Sequence, residues 1–200
     1  MKERPILFST DMVRAIIDGR KTQTRRVVKR VGNDEGFVLQ DYGSGWWPYR
    51  SIDGESGLYQ GKDGYDLESP INCPYGLPGD RLWVRETWAP HPDYSNHAVY
   101  RADYGVEFDC ERWRPSIHMP RWASRILLEI VRVRVERLQD ISEADAIAEG
   151  CPIESPDPFV PGHGSASASG WYSDLWEKIN GAGSWAANPW VWVVEFRGVE

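Results

Sequence analysis

The chain has 200 residues, of which 41% are hydrophobic and 26% are charged, and these ordinary globular values exclude a wholly disordered protein. Acidic residues number 30 against 23 lysines and arginines, and the net charge of -7 argues against a protein that coats DNA without sequence preference. The length predicts a single domain over 1–200 that contains one large insertion.

The apolar runs and the cysteine positions limit which cellular compartment and which cofactors we expect. No apolar run is long enough for a transmembrane helix, and the N-terminus lacks the apolar core of a signal peptide. Cys73, Cys110 and Cys151 lie far apart and form no Cys-x-x-Cys pair, a pattern that does not favour a disulfide framework or a zinc ribbon. We therefore expect a cytoplasmic protein without membrane contact, metal or other cofactor.

The first thirty residues predict a strand, a helix and a second strand. Residues 5–9 form a short apolar run, and the residues from there to Gly19 carry apolar side chains at helical spacing. The β-branched run 22–28 predicts a strand that places Thr22, Thr24 and Arg26 on one face.

The middle of the chain predicts an insertion followed by long strands. Residues 31–77 are rich in Gly, Ser, Asp and Tyr, and two short apolar pieces among them indicate a hairpin. Alternating residues predict further strands at 81–88 and 125–138. In the second of these we expect Ile130 and Arg132 to share a face.

The C-terminal third predicts a helix, a loop, a second helix and a final strand. Ser142 begins the first helix and Gly150 ends it. Prolines and a Gly-Ser-Ala run indicate a flexible loop at 151–170, before a helix at 171–179 and a strand at 189–196. Together the elements predict an α+β fold with a mostly antiparallel sheet, whose short strands are able to close into a barrel.

The clearest motif runs from Gly19 to Arg26 and reads Gly-Arg-Lys-Thr-Gln-Thr-Arg-Arg. It is not a phosphate-binding P-loop, because a P-loop follows a strand, precedes a helix and needs an earlier glycine. A solvated basic turn is the simplest interpretation. If Lys21 is partly buried, however, its pKa falls and it can act as a base toward the Thr24 hydroxyl. Arg26 would then hold an anion or a developing oxyanion.

This motif, Gly-x-Lys-Thr-x-Thr-x-Arg after a short amphipathic helix, resembles the signature of the ASCH domain, a PUA-like β-barrel. Segments 78–88 and 125–150 and the final strand are similar to the family in the same order, and the whole chain resembles ASCH proteins of phages and prophages. The resemblance implies a mostly antiparallel PUA-like barrel with flanking helices. Segments 31–77 and 89–124 have no counterpart in the shortest members.

Some small ASCH proteins are amidohydrolases that remove the acyl group from N4-acetylcytidine with a Lys base, a Thr nucleophile and a Glu proton donor. Matched position by position, the resemblance implies Lys21, Thr24 and Glu149. The segment from Leu138 to Glu149 aligns without a gap and favours Glu149 over Glu143. Other ASCH proteins bind or cleave RNA, so family membership does not fix the chemistry.

Residues 114–125 form a second candidate segment, a loop that two prolines make rigid. Trp122 is suited to stack a base, Arg121 or Arg125 to hold a phosphate, and His118 to assist proton transfer. The alternative is a rigid connector whose tryptophan belongs to the core. The histidines and cysteines show no recognised metal-ligand spacing.

The leading expectation is a hydrolase that cleaves an amide on a modified nucleobase or nucleoside, such as an N4-acylcytidine, with a Thr nucleophile and a Lys base. The alternatives are an RNA-binding or RNA-cleaving module, and a phage assembly protein whose basic segments meet a protein partner. Because segments 14–30 and 111–137 are basic within an acidic chain, we expect both to contribute to one local anion site.

Overall fold

The structure is a computed structural model that describes residues 1–28, 37–41, 46–50, 73–94, 96–104, 112–152 and 167–199. The predicted insertion 31–77 and the predicted loop 151–170 therefore lie largely outside the described residues. The backbone of the insertion is described at two strands, which pair as the predicted hairpin.

The described part contains nine strands and four α-helices, a mixture that confirms the α+β prediction. The strands are β1 (Glu3–Leu7), β2 (Gln23–Val27), β3 (Phe37–Asp41), β4 (Trp46–Arg50), β5 (Arg81–Arg85), β6 (Trp88–Pro90), β7 (Ala98–Tyr100), β8 (Leu127–Arg137) and β9 (Trp190–Gly198). The helices are α1 (Thr10–Ile17), α2 (Arg101–Tyr104), α3 (Glu143–Ala148) and α4 (Ala168–Asn180). Within these described ranges, none of the helices has the length and apolarity needed to span a bilayer.

A five-stranded sheet in the order β1-β5-β8-β9-β2 forms the centre of the fold. β1 and β5 pair in parallel, whereas the other neighbours are antiparallel, as expected for a mostly antiparallel sheet. Over the described residues β1 and β2 share no ladder, so the sheet is open. Its two edges nevertheless meet at one point, because Arg26 Nη2 donates a hydrogen bond of 2.7 Å to the Leu7 carbonyl.

The sheet is covered on both faces, and β9 shows this most clearly. Trp192 and Val194 pack with α1 in one cluster of buried side chains. Val191 and Val193 point to the opposite face and pack with α3 and α4 in a second cluster. A strand buried on both faces needs a nearly continuous apolar sequence, which explains the Trp-Val-Trp-Val-Val run.

A β-bulge in β8 overturns one predicted face. The register against β9 shifts between Ile130 and Arg132, so that β8 holds one extra residue there. Ile130 and Val133 are both buried, whereas Val131 and Arg132 are exposed. The expectation that Ile130 and Arg132 share a face is therefore wrong, because alternation changes phase across an unpaired residue.

The predicted strand 81–88 divides into two parts. β5 ends at Arg85, and Trp88 begins a separate strand that pairs with β7 rather than with the central sheet. The chain leaves the sheet here because Trp88 is buried in a small core of its own, with Met119 and Ala123. This detour carries the chain from the central sheet to the second candidate segment.

Candidate active site

Lys21 and Glu149, which the ASCH resemblance pairs as base and proton donor, form an ion pair in the interior. Lys21 Nζ donates hydrogen bonds to Glu149 Oε2 at 2.7 Å and to the Glu149 carbonyl at 2.9 Å. The two side chains are 0% and 2% exposed. The structure thus brings together two groups that lie 128 positions apart in the sequence.

The turn after α1 and the end of α3 place this pair. The Lys21 backbone N–H donates to the Ala15 carbonyl at 2.9 Å, and Lys21 forms an isolated antiparallel bridge with Glu149. Gly150 has a φ of +99°, which side chains other than glycine rarely adopt. A Cβ at Gly150 would lie 3.0 Å from Ala15 Cβ and 3.3 Å from Lys21 Cβ. The close approach of the two segments therefore depends on glycine at this position.

Arg25 is the second partner of Glu149, and it is absent from the sequence-derived candidates. Its side chain is 0% exposed, and Nη1 donates to Glu149 Oε1 at 3.3 Å. Nη2 contacts Glu136 and lies 3.3 Å from Asp145 Oδ2. Arg134 pairs with the same two carboxylates. Glu149 is therefore fixed at the edge of a network of paired charges.

Burial controls the protonation of these groups. It lowers the pKa of the Lys21 ammonium below its ordinary value of 10.5, and the Glu149 carboxylate does not fully offset that shift. Burial also disfavours the charge on Arg25, but Glu149 and Glu136 outweigh it and raise the pKa, so the guanidinium stays charged. Lys21 thus releases a proton more readily than an exposed lysine, as a general base requires.

A cavity of about 190 Å³ adjoins the Glu149 carboxylate. The motif contributes Thr24, Arg25 and Arg26 to its wall, and α4 contributes Tyr172 and Trp176 among other residues. Lys21 is not part of the wall and reaches the cavity only through Glu149. The volume is below the roughly 300–1,000 Å³ of pockets for drug-sized ligands, and it suits a small group such as one heterocyclic base.

Two residues of the cavity wall each carry a buried nitrogen without a partner. Arg26 Nε and Trp176 Nε1 form no hydrogen bond with any residue that the structure describes. Burial also raises the pKa of the Tyr172 phenol well above its ordinary range, so that this wall group stays neutral. Because buried polar atoms are normally satisfied, these two N–H groups are candidate donors to a polar ligand.

The α4 residues of the wall were missed because Tyr172 and Trp176 resemble core aromatics. Their separation of four residues places both on one helix face, and that spacing was the available signal. Nothing in the sequence distinguishes a helix face that covers a cavity from one that fills the core.

Glu143, the alternative to Glu149, has a different place in the structure. Its carboxylate accepts hydrogen bonds from the backbone N–H groups of Ala168, at 2.7 Å, and Ser169, at 3.3 Å. These contacts cap α4, which begins within the segment 151–170 predicted as a loop. Glu143 is therefore held at a helix terminus, whereas Glu149 lines the cavity.

The arginines of the second candidate segment do not line this cavity. Arg121 Nη2 lies 3.0 Å from Glu3 Oε2. Arg125 contacts Glu86 Oε1 at 3.0 Å and Asp103 Oδ2 at 2.7 Å. The structure does not bring these two guanidiniums to Thr24, because carboxylates elsewhere in the fold already neutralise them.

Trp122 and His118 lie at the surface of the same segment. Trp122 is 57% exposed, and its ring meets the buried Trp88 edge to face, with centroids 5.7 Å apart. His118 is exposed and lines a separate, larger groove. Neither residue contributes to the wall of the cavity beside Glu149.

No protein-family model, curated protein or solved structure matches this chain. Within the described ranges, no group of three or more His, Cys, Asp or Glu side chains is arranged to hold a metal ion.

Proposed function

We propose that this chain is an ASCH-type hydrolase that cleaves an amide on a modified nucleobase or nucleoside, with N4-acylcytidine as the leading substrate class. One observation carries the proposal: Lys21 and Glu149 form a buried pair with a 2.7 Å contact, beside a cavity that Thr24 also lines. A nucleophile, a base and a proton donor are the groups that acyl transfer requires.

In the proposed reaction, Thr24 Oγ1 attacks the carbonyl carbon of the amide and a C–O bond forms. The hydroxyl proton passes to the Lys21–Glu149 pair, in which Lys21 is the base. The orphaned Arg26 Nε donates a hydrogen bond to the oxyanion that develops on the former carbonyl oxygen. As the C–N bond breaks, Glu149 supplies a proton to the leaving amine. Water then hydrolyses the threonyl ester and releases the acid.

The wall of the cavity supports a nucleobase as the group that enters. Tyr172 and Trp176 provide flat aromatic surface, and Trp176 Nε1 is a buried donor without a partner among the described residues. A pyrimidine offers both a flat ring and carbonyl acceptors. A cavity of about 190 Å³ leaves little room beyond one such ring and a small acyl group.

We further propose that the central sheet belongs to a PUA-like barrel with flanking helices. The contact between Arg26 and the Leu7 carbonyl joins the two edge strands at the site. Next to it, the Phe8 ring lies beneath both Lys21 Nζ and Arg26 Cζ, at 5.6 and 5.5 Å from its centroid. These contacts support a barrel seam at the catalytic motif.

The main alternative is an RNA-binding module in which Lys21, Arg26 and Arg121 grip phosphate. Burial argues against it, because Lys21 has no exposed side-chain surface and already contacts Glu149. Arg121 is likewise paired, with Glu3. A phosphate would have to displace both carboxylates. A phage assembly protein, the remaining alternative, would turn over no small molecule.

The test is an activity screen on acylated cytidines and on short RNAs, with product release followed by chromatography. We expect the wild type and the exposed control Lys2→Ala to release cytidine from N4-acetylcytidine. Lys21→Ala and Glu149→Gln should be inactive while circular dichroism shows that they are folded. Glu149→Gln preserves the shape of the side chain and covers the case in which Lys21→Ala does not fold. A wild-type protein that cleaves no acylated nucleobase would overturn the proposal.

A further inference from the structure

A second concavity lies outside the proposed catalytic site, between segments 89–92 and 112–118. Its volume is about 830 Å³, within the range of roughly 300–1,000 Å³ that accommodates a ligand of nucleotide size. Three prolines stiffen its wall, and the described lining includes no carboxylate. Four basic side chains are present instead: His91, Arg112, Arg114 and His118.

The two arginines of this groove differ from their neighbours. Arg121 and Arg125 pair with carboxylates, whereas Arg112 and Arg114 form no ion pair with any described residue. The Arg114 guanidinium lies 5.2 Å from the centroid of the Trp88 ring. Stacking of this kind leaves the N–H edge of a guanidinium able to bind an anion. Arginines without a described carboxylate partner, in a chain of net charge -7, concentrate positive potential in this groove.

A series of contacts leads from this groove to the catalytic cavity. The Arg85 guanidinium donates a hydrogen bond to the carbonyl of Ile117, the residue before His118. Arg85 is the register partner of Leu7, whose carbonyl accepts the hydrogen bond from Arg26 on the cavity wall. Arg85 and Arg26 form no carboxylate pair within the described residues, so cationic side chains continue from the groove to the cavity.

Exposed aromatic surface accompanies the cations. The 57% exposed Trp122 packs against the same Trp88 that Arg114 covers. Nearby, the Trp83 ring carries the guanidinium of Arg85 at 5.4 Å. Proteins that bind single-stranded nucleic acid combine these two features, a cationic groove for the backbone and aromatic faces for the bases.

We propose that this groove binds the sugar–phosphate backbone of a single-stranded polynucleotide. Phosphates lie on Arg112 and Arg114, an unpaired base stacks on Trp122, and one modified base along the strand enters the catalytic cavity. The entry of a modified base rests on the proposed function, whereas strand binding does not. A base must leave its stack to enter so small a cavity, which favours a single strand over a duplex.

Strand binding is tested by fluorescence anisotropy with a labelled oligouridylate of about ten nucleotides, its DNA counterpart and a duplex, over a range of salt concentrations. We expect the wild type to bind single strands, with affinity that falls as salt rises. Arg112→Ala/Arg114→Ala should lose about tenfold or more in affinity. Its salt slope should fall by about 1.4, since each phosphate contact on a single strand contributes about 0.7.

The matched control is Arg132→Ala/Arg197→Ala. It removes the same net charge from two exposed arginines that line neither cavity. We expect its affinity to stay within about twofold of the wild type, because removal of surface charge outside the groove changes only the general field. Circular dichroism of both double variants establishes that they are folded.

Three results would overturn this inference: no binding of either single strand at low salt, equal affinity for the duplex, or equal losses in the two double variants. Hydrolysis of free N4-acetylcytidine without strand binding would overturn this inference alone. Strand binding that depends on Arg112 and Arg114, without any amide hydrolysis, would instead overturn only the catalytic proposal.

Discussion

Lys21 Nζ lies 2.7 Å from Glu149 Oε2 in the protein interior, and the same amine also binds the Glu149 carbonyl. This is the distance of a charge-assisted hydrogen bond. The Glu149 carboxylate favours the charged form of Lys21 and only partly offsets the effect of burial on the pKa of that amine. We therefore expect substitutions of the pair to change stability and its pH dependence, and, under the proposed function, turnover as well.

The first prediction concerns stability. Lys21→Met should lower the free energy of unfolding by about 3 kcal/mol, the low end of the range for breaking a buried pair, because Arg25 still neutralises part of the Glu149 charge. Lys21→Met/Glu149→Gln should lose less than the sum of the single variants. Urea denaturation measures both effects. The exposed control Lys2→Met should be nearly neutral, and strictly additive losses would contradict the coupling.

The second prediction follows from the lowered pKa of Lys21. Between that lowered pKa and the ordinary value of 10.5, the unfolded chain binds more protons at this lysine than the folded chain. The contribution of Lys21 to the free energy of unfolding therefore rises with pH through that window. The free energy of unfolding of the wild type, minus that of Lys21→Met, should increase as pH is raised through the window. A difference that is flat or falls with pH would mean that the ammonium is not disfavoured by burial.

The third prediction separates a base from a phosphate ligand. If Lys21 is the base, kcat/KM should rise with pH, with an apparent pKa below 10.5. Lys21→Arg should be inactive at every pH, because a guanidinium stays protonated. Rate measurements across pH for this variant and the exposed control Lys2→Arg test the point. Full activity in Lys21→Arg would exclude the lysine as a base.

The fourth prediction concerns the glycine beside the pair. Gly150→Ala places a Cβ 3.0 Å from Ala15 Cβ at a φ of +99°. Gly181→Ala is a matched control, because its φ is +97° and a Cβ there meets nothing within 4 Å. Both should lose about 1–3 kcal/mol to backbone strain, and Gly150→Ala should lose more in thermal unfolding and also lose turnover. Equal effects in the two variants would show that the close approach of α3 to Lys21 does not matter.

Much of the candidate site lies in a local motif, so the sequence alone groups these residues. α1 ends at Ile17, and the next few residues place Lys21 just before β2 and Thr24 within it. Arg25 is absent from the sequence-derived candidates because side chains alternate along β2, so that Arg25 and Thr24 belong to opposite faces of the strand. Only the packing of α3 and α4 against β2 reveals that the face of β2 that carries Arg25 is also buried.

Contacts between distant segments account for the remaining differences. The bulge at Val131 depends on the pairing of β8 with β9, and its sequence resembles that of any alternating strand. Arg121 and Arg125 are residue types that an anion site would use. The partner of Arg121 is Glu3, 118 residues away, and the partner of Arg125 is Glu86, 39 residues away. A local sequence pattern does not encode contacts over such separations.

The most direct test of the central claim is the turnover of N4-acetylcytidine by Thr24→Val, compared with Thr22→Val. Thr22 is exposed, so the control makes the same change outside the cavity. The account predicts that Thr22→Val keeps its activity. Thr24→Val should lose orders of magnitude in rate with less than about tenfold change in nucleoside affinity, since a neutral hydrogen bond contributes only about 0.5–1.5 kcal/mol. A Thr24→Val enzyme as active as the control would contradict the account and show that the Thr24 hydroxyl is not the nucleophile.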